Sequence, residues 1–162
     1  MIQMVMRLAP FVPSRPEVIT RMLKISNTCL DDVVFDLGCG DGRILMSAVK
    51  DFGARRAVGY EMKTELYRQV LDEIANQNLT EQIFLFNDDL MNADLSEASV
   101  IALYLTTSGN EHLKPKIANE AVRGTRIVSH DFEFRGWHPS VKEDFRGHTL
   151  FLYIVPEAFH HL

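Results

Sequence analysis

The residues best placed to do chemistry in this chain are glycines and acids that follow short apolar runs. Val33-Val34-Phe35-Asp36-Leu37-Gly38-Cys39-Gly40-Asp41-Gly42-Arg43 reads as a buried strand, a glycine loop and the start of a helix. Gly38 and Gly40 let the backbone turn sharply and approach a ligand closely. Two more acidic positions follow: Glu61 lies 25 residues after Asp36, and Asn87-Asp88-Asp89 closes the next apolar run. Each feature alone has a plainer reading, as a tight turn, a solvated strand end or a turn former. In this order and spacing they point to a nucleotide-like ligand.

Two ligand classes use such a loop. A dinucleotide site needs G-x-G-x-x-G with pyrophosphate over the helix N-terminus. Here the sixth position is Arg43, and Asp36 and Asp41 put negative charge where phosphate would sit. S-adenosylmethionine has no phosphate and carries a cationic amino group and a sulfonium, so acids beside the loop favour it. Glu61 can accept from both ribose hydroxyls, and a carboxylate at Asp88 or Asp89 can accept from the adenine amino group. The cofactor contacts expected are Asp36, Gly38, Cys39, Gly40, Glu61, Asp88 and Asp89, with Cys39 valued for its small size.

Strand and helix signals alternate along the chain, which predicts an α/β sheet. Strands are expected at 32–36, 56–61, 82–87, 99–105, 126–130, 141–145 and 148–155, the last two paired as a hairpin through Arg146-Gly147. Ser14-Arg15-Pro16-Glu17 reads as a capping box, with Val18, Ile19, Met22 and Leu23 as the apolar face behind it. Ile44 to Phe52 and Leu66 to Ile74 are the next helices. Lys114 to Val122 is a further one, with Pro115 in its first turn. The early strands are expected to be parallel with right-handed helical crossovers, and ligands then bind at the carboxyl ends of the strands.

The chain has 162 residues, 46% hydrophobic and 24% charged, which fits one globular domain. It divides into an N-terminal segment and helix, residues 1–28, and a core, residues 29–162. The formal net charge of -5 speaks against a nucleic-acid substrate and suits basic protein partners. Cys29 and Cys39 form neither a metal pair nor a disulfide framework, so a reducing, cytoplasmic setting is expected and no metal site is assigned. No apolar stretch reaches the ~18–20 residues of a membrane span.

Asp36 to Gly42 looks like motif I of class I methyltransferases. A narrower likeness rests on Pro10-Phe11-Val12-Pro13-Ser14, on DLGCGDGRI at 36–44, and on Tyr104-Leu105-Thr106-Thr107. It continues through Asn110 to Lys116, Gly124 to Phe132, Arg135-Gly136-Trp137 and His148 to Tyr153. This set resembles the archaeal broad-specificity protein-lysine methyltransferases and their eukaryotic mitochondrial relatives. The resemblance implies a Rossmann-like, seven-stranded, mostly parallel sheet in the order 3-2-1-4-5-7-6. It implies methyl transfer to lysine ε-amino groups of proteins, and closure of Phe11, Val12 and Pro13 over the cofactor. The membrane anchor of the mitochondrial relatives is not carried over.

For such a reaction Tyr104 is expected to face the methyl group and shape the lysine channel, with carbonyls near Leu105 and Thr106 orienting the amine. His130 is a candidate proton acceptor, against the plainer reading of a structural histidine. Asp131 can steer a cationic lysine, and Trp137 can either anchor a flap or face the substrate. Arg43 is expected to brace Asp36 or Glu61, and Lys114-Pro115-Lys116 to be a solvated helix start. The partners expected are proteins with exposed lysines, with no membrane or nucleic acid and a monomeric enzyme. The alternatives are a methyltransferase acting on a small molecule or nucleic acid, and a cofactor-binding module without turnover.

Overall fold

A computed structural model describes residues 13–160 of the chain. Seven strands form one sheet: β1 Val33–Leu37, β2 Arg56–Tyr60, β3 Ile83–Phe86, β4 Val100–Leu103, β5 Arg126–His130, β6 Val141–Phe145 and β7 His148–Ile154. Their order is 3-2-1-4-5-7-6, as the resemblance implied. β1 to β5 run parallel; β7 is antiparallel to both β5 and β6. Among the described residues four helices accompany them: α1 Pro16–Ile25, α2 Arg43–Lys50, α3 Thr64–Asn76 and α4 Thr107–Glu120.

The strand sequences explain the layering. β1 and β4 are buried along their whole length, as central strands covered on both faces must be. Side chains alternate between faces. Val34, Val100, Ala102, Val128 and Leu152 pack against Val18, Met22 and Ala48 of α1 and α2. Phe35, Leu37, Ile101, Leu103 and Ile127 join Leu113 and Ile117 of α4 on the opposite face. Leu45 of α2 and Val70 and Ile74 of α3 close over Ala57 and Ile83. Burying one such side chain stabilises the fold by about 1.5–3 kcal/mol. At one end Asp32 accepts from Cys29 N and Ser99 Oγ and pairs with Arg126, tying the starts of β1, β4 and β5 together.

Five local expectations are corrected. Ser14 does not cap α1: Arg15 is the N-cap residue, and the Ser14 hydroxyl is committed elsewhere. α4 starts at Thr107, seven residues before Lys114, because the Thr106 side chain accepts from Gly109 N and caps it. Pro115 therefore lies inside that helix, at the cost of one backbone bond. Lys114 and Lys116 are engaged with Glu111 and Glu120. β3 and β4 are linked by two short 3-10 turns, Leu90–Asn92 and Leu95–Glu97, capped by Asp89 and Asp94. β4 ends at Leu103, opposite Ser129, so Tyr104 and Leu105 belong to the loop beyond the strand.

Candidate active site

The carboxyl ends of β1, β2 and β3 hold the acids that the sequence singled out. The loop after β1 is built on positive backbone angles, φ 84° at Gly38, 56° at Gly40 and 79° at Gly42. A Cβ on Gly42 would meet Val70 Cγ1 at 2.7 Å, so this position admits no side chain. The N–H groups of Gly38 and Cys39 both donate to the Tyr60 carbonyl, at 2.9 and 3.0 Å, which clamps the loop to the end of β2.

Glu61 is buried and holds the same loop from the next position. One carboxylate oxygen accepts from Gly40 N and the other from Lys63 N, both at 2.9 Å. Asn87 donates to the Glu61 carbonyl at 3.0 Å, linking the end of β3 to the end of β2. Each Glu61 oxygen thus keeps a lone pair for a further donor. Asp36 is buried between Glu61 and Asp41, and its carboxyl is pushed up to about 8 by burial, then by the charges of Glu61 and Asp41. A cationic group brought beside it would relieve that cost. Burial and the charges of Asp36 and Glu61 raise the Cys39 thiol well above its ordinary range, so it is a small filler and no nucleophile.

After β3, Asp88 is exposed and accepts from Asp89 N and Asn92 Nδ2. Asp89 is buried; its Oδ1 caps the following turn through Met91 N. Its Oδ2 is buried and, among the described residues, has no hydrogen-bond partner. An acceptor without a donor is costly, and an adenine amino group supplies one. The acids therefore fit S-adenosylmethionine on three counts: an acceptor lacking its donor at Asp89, open lone pairs on Glu61, and a dry carboxyl at Asp36.

A second group stands beyond β4 and β5. The ring of Tyr104 stacks on the imidazole of His130 with centroids 3.9 Å apart, and Phe132 lies 6.1 Å away. His130 is fully buried and both of its nitrogens are engaged. Nδ1 lies 2.8 Å from Ser14 Oγ, and Nε2 lies 2.9 Å from His148 Nδ1. Burial drives its pKa down to about 4 against the pull of Asp131, with a smaller push from His148. Burial would raise Asp131, but donation from His148 and Thr149 N outweighs it and holds the carboxyl below its ordinary range.

Ser14 connects the two groups. Its hydroxyl meets His130, and its carbonyl accepts from Arg43 Nη1 at 3.0 Å. The remaining Arg43 bonds go to Asp41, not to Asp36 or Glu61, because Asp41 lies two residues away on the same turn. Pro13, just before Ser14, is exposed; Phe11 and Val12 lie outside the described residues. Trp137 packs against Phe134 and Phe159, 4.7 Å from each ring centroid, and so anchors the loop after β5. Asn110 entered the sequence reading only as part of the family likeness and not as a site residue. It is buried in α4 and donates to the Phe132 carbonyl at 3.0 Å, pinning the strand-end turn beside Tyr104. Ser14 and His148 were missed as site residues too, since nothing in the spacing joins positions 14, 130 and 148.

Comparison with known proteins agrees with this geometry. A protein-lysine N-methyltransferase of Saccharolobus islandicus is 43% identical over 152 residues, covering 91% of this chain and 94% of that protein. The adenine nucleotide translocase lysine N-methyltransferase of Mus musculus is 30% identical over 104 residues, 64% of this chain and 45% of that one. The chain spans about half the length of such vertebrate relatives. A crystal structure of an RNA methyltransferase from Salinibacter ruber, in complex with S-adenosyl-L-homocysteine, superposes with a TM-score of 0.87 at 36% identity. It covers 90% of this chain and 95% of that one. The fold is the class I Rossmann-like methyltransferase fold and the cofactor is S-adenosylmethionine. The family model for the ANTKMT methyltransferase domain matches residues 36–141, from the first acid of the cofactor loop to the start of β6, and the chain belongs to that family.

Proposed function

We propose that this enzyme methylates the ε-amino group of lysine side chains on proteins. The observation that carries the reading is the 43% identity to the Saccharolobus islandicus protein-lysine N-methyltransferase over nearly the whole of both chains. The net charge of -5 supports it, since lysine-rich surfaces are drawn to an acidic enzyme.

When bound, S-adenosylmethionine supplies a methyl carbon on a sulfonium that leaves as a neutral thioether. The protein holds the amine in line and in reach, which is the larger part of the catalysis. A lysine amine has an ordinary pKa of about 10.4 and must lose its proton before it attacks. Tyr104 forms the apolar wall of the channel, and burying the amine there favours its neutral form. His130, with both nitrogens spent inside the protein, acts as the brace behind Tyr104 and not as the proton acceptor. Asp131 adds negative charge at the same rim. Asp36, Glu61 and Asp89 take the amino acid, ribose and adenine parts of the cofactor, with Asp88 at the same edge. The family resemblance assigns Phe11, Val12 and Pro13 to its cover. We further infer one domain over residues 1–162, a monomer, and cytoplasmic residence.

A second reading is methylation of RNA, favoured by the name of the Salinibacter ruber protein. Incubation with methyl-labelled cofactor and two acceptors, a lysine-rich protein and total RNA, tests both. Label in trimmed peptides at lysine is the expected result; label in RNA alone overturns it.

A further inference from the structure

The end of β5 and the start of β7 bring three metal-ligating atoms into one triangle. His130 Nε2 lies 2.9 Å from His148 Nδ1. His148 Nδ1 lies 3.0 Å from Asp131 Oδ2, and that oxygen lies 3.4 Å from His130 Nε2. Among the described residues this is the one cluster of three or more such side chains. The antiparallel register sets it up: His130 pairs with Leu150, which leaves His148 two residues beyond the paired end. Asp131 then turns back with φ 65° and aims its carboxylate at the same spot.

With His130 protonated on Nδ1 and His148 on Nε2, all three atoms of the triangle face inward as acceptors. With His130 Nδ1–H donating to Ser14 Oγ, 2.8 Å away, the Nε2 lone pair is turned toward His148 and Asp131. Thr149 N donates to Asp131 Oδ1 at 3.0 Å, which leaves Oδ2 for the centre. A single proton on His148 Nδ1 serves two of the three edges and leaves His130 Nε2 and Asp131 Oδ2 with lone pairs opposed. A cation serves all three. Outer partners that fix ring orientation in this way are typical of ligating histidines. Tetrahedral coordination at 2.0–2.2 Å spaces donor atoms by about 3.3 Å, close to the observed edges.

We propose that His130, Asp131 and His148 bind a divalent transition-metal ion, zinc in the first instance. Two imidazoles and one carboxylate suit zinc or cobalt over magnesium or calcium, which prefer all-oxygen sites. Asp131 and His148 are about a quarter exposed, so an ion can enter and keep solvent in its fourth position. The bound ion fixes His130, and through it the ring of Tyr104. The site stands whichever nucleophile is methylated.

The test is titration of the chelator-treated 162-residue protein with Co2+ and then Zn2+. One equivalent of Co2+ should give the visible absorption of a tetrahedral site, and one equivalent of Zn2+ should bleach it. His148→Ala and Asp131→Asn should each weaken binding at least 100-fold while circular dichroism shows the fold retained. Ser14→Ala should weaken it about 10-fold, as loss of an outer partner does. A His160→Ala/His161→Ala variant should bind like the parent. The proposal is overturned if the parent gives no tetrahedral spectrum, if Asp131→Asn binds as tightly as the parent, or if removing the terminal histidines abolishes binding.

Discussion

The imidazole of His130 lies against the ring of Tyr104, with 3.9 Å between centroids and 28° between planes. Such a pair contributes about 0.5–1.5 kcal/mol beyond its buried area. The hydroxyl of Ser14 holds His130 from behind. His130→Phe keeps the stack and loses the polar partners; His130→Ala loses both. The alanine variant should lower kcat/KM for the methyl acceptor by about 3- to 10-fold, with cofactor affinity within about twofold, and the phenylalanine variant should lie between. If both variants instead lost 100-fold or more alike, His130 would be taking the proton itself.

Asp32 is the corresponding tie at the far end of the sheet. It is buried, pairs with Arg126 and accepts from Ser99 and Cys29. Burial alone would raise its carboxyl, but these donors and the Arg126 charge outweigh it and hold it below the ordinary range. A lowered carboxyl adds stability above its unfolded pKa and loses it as pH falls through the folded one. Asp32→Ala leaves Arg126 without its carboxylate and should cost about 3 kcal/mol at neutral pH. The deficit should shrink below about pH 4. Urea denaturation of both proteins at several pH values measures this; a deficit that grows on acidification would refute the assignment.

How far the sequence revealed this arrangement depends on the distance over which each residue acts. Asp36, Gly38, Gly40 and Glu61 act within one strand-loop-helix unit and the strand beside it, so their spacing in the chain carried their placement. The order of the parallel strands followed from alternation and from the family resemblance. What stayed hidden depends on long-range pairing. Ser14 looks like a helix cap because four residues suffice for that pattern, but its hydroxyl meets a histidine 116 positions away. Asn110 and Gly109 are buried in α4, so the helix has no clean apolar stripe where it begins. Arg43 found Asp41 first because a neighbour on the same turn costs less ordering than Asp36 or Glu61.

Gly59 was passed over in the sequence and is set by packing. A Cβ there would lie 2.6 Å from Leu45 Cδ1, 2.8 Å from Leu85 Cδ1 and 3.0 Å from Cys39 Sγ. The leucine tips can shift, but Cys39 is part of the loop that carries Gly38 and Gly40. Gly59→Ala should therefore cost about 1–3 kcal/mol of stability by overpacking, and should also weaken cofactor binding through the displaced loop. Chemical denaturation and calorimetry on the same variant separate the two effects. Full affinity in a destabilised protein would show that Cys39 does not transmit the strain.

Asp36 ties the cofactor site to pH. Its carboxyl stands at about 8 in the free enzyme because burial, Glu61 and Asp41 all oppose its charge. An acid raised above its unfolded value near 4 keeps its proton in the native state, so native protein holds more protons than unfolded protein across that interval. Stability of the free enzyme then falls as pH rises from about 4 to about 8. A cationic ligand group favours the ionised form, so cofactor affinity should rise over the same range and binding should release a proton. Asp36→Asn removes the ionisation. It should flatten that part of the stability profile, leaving the variant the more stable free protein near pH 8. It should also weaken cofactor binding by about 10- to 100-fold, the loss of a charge-assisted hydrogen bond. Calorimetry in two buffers of different ionisation enthalpy counts the released proton. Parallel stability profiles for parent and variant, with no proton released on binding, would place the charge of Asp36 outside the cofactor's reach.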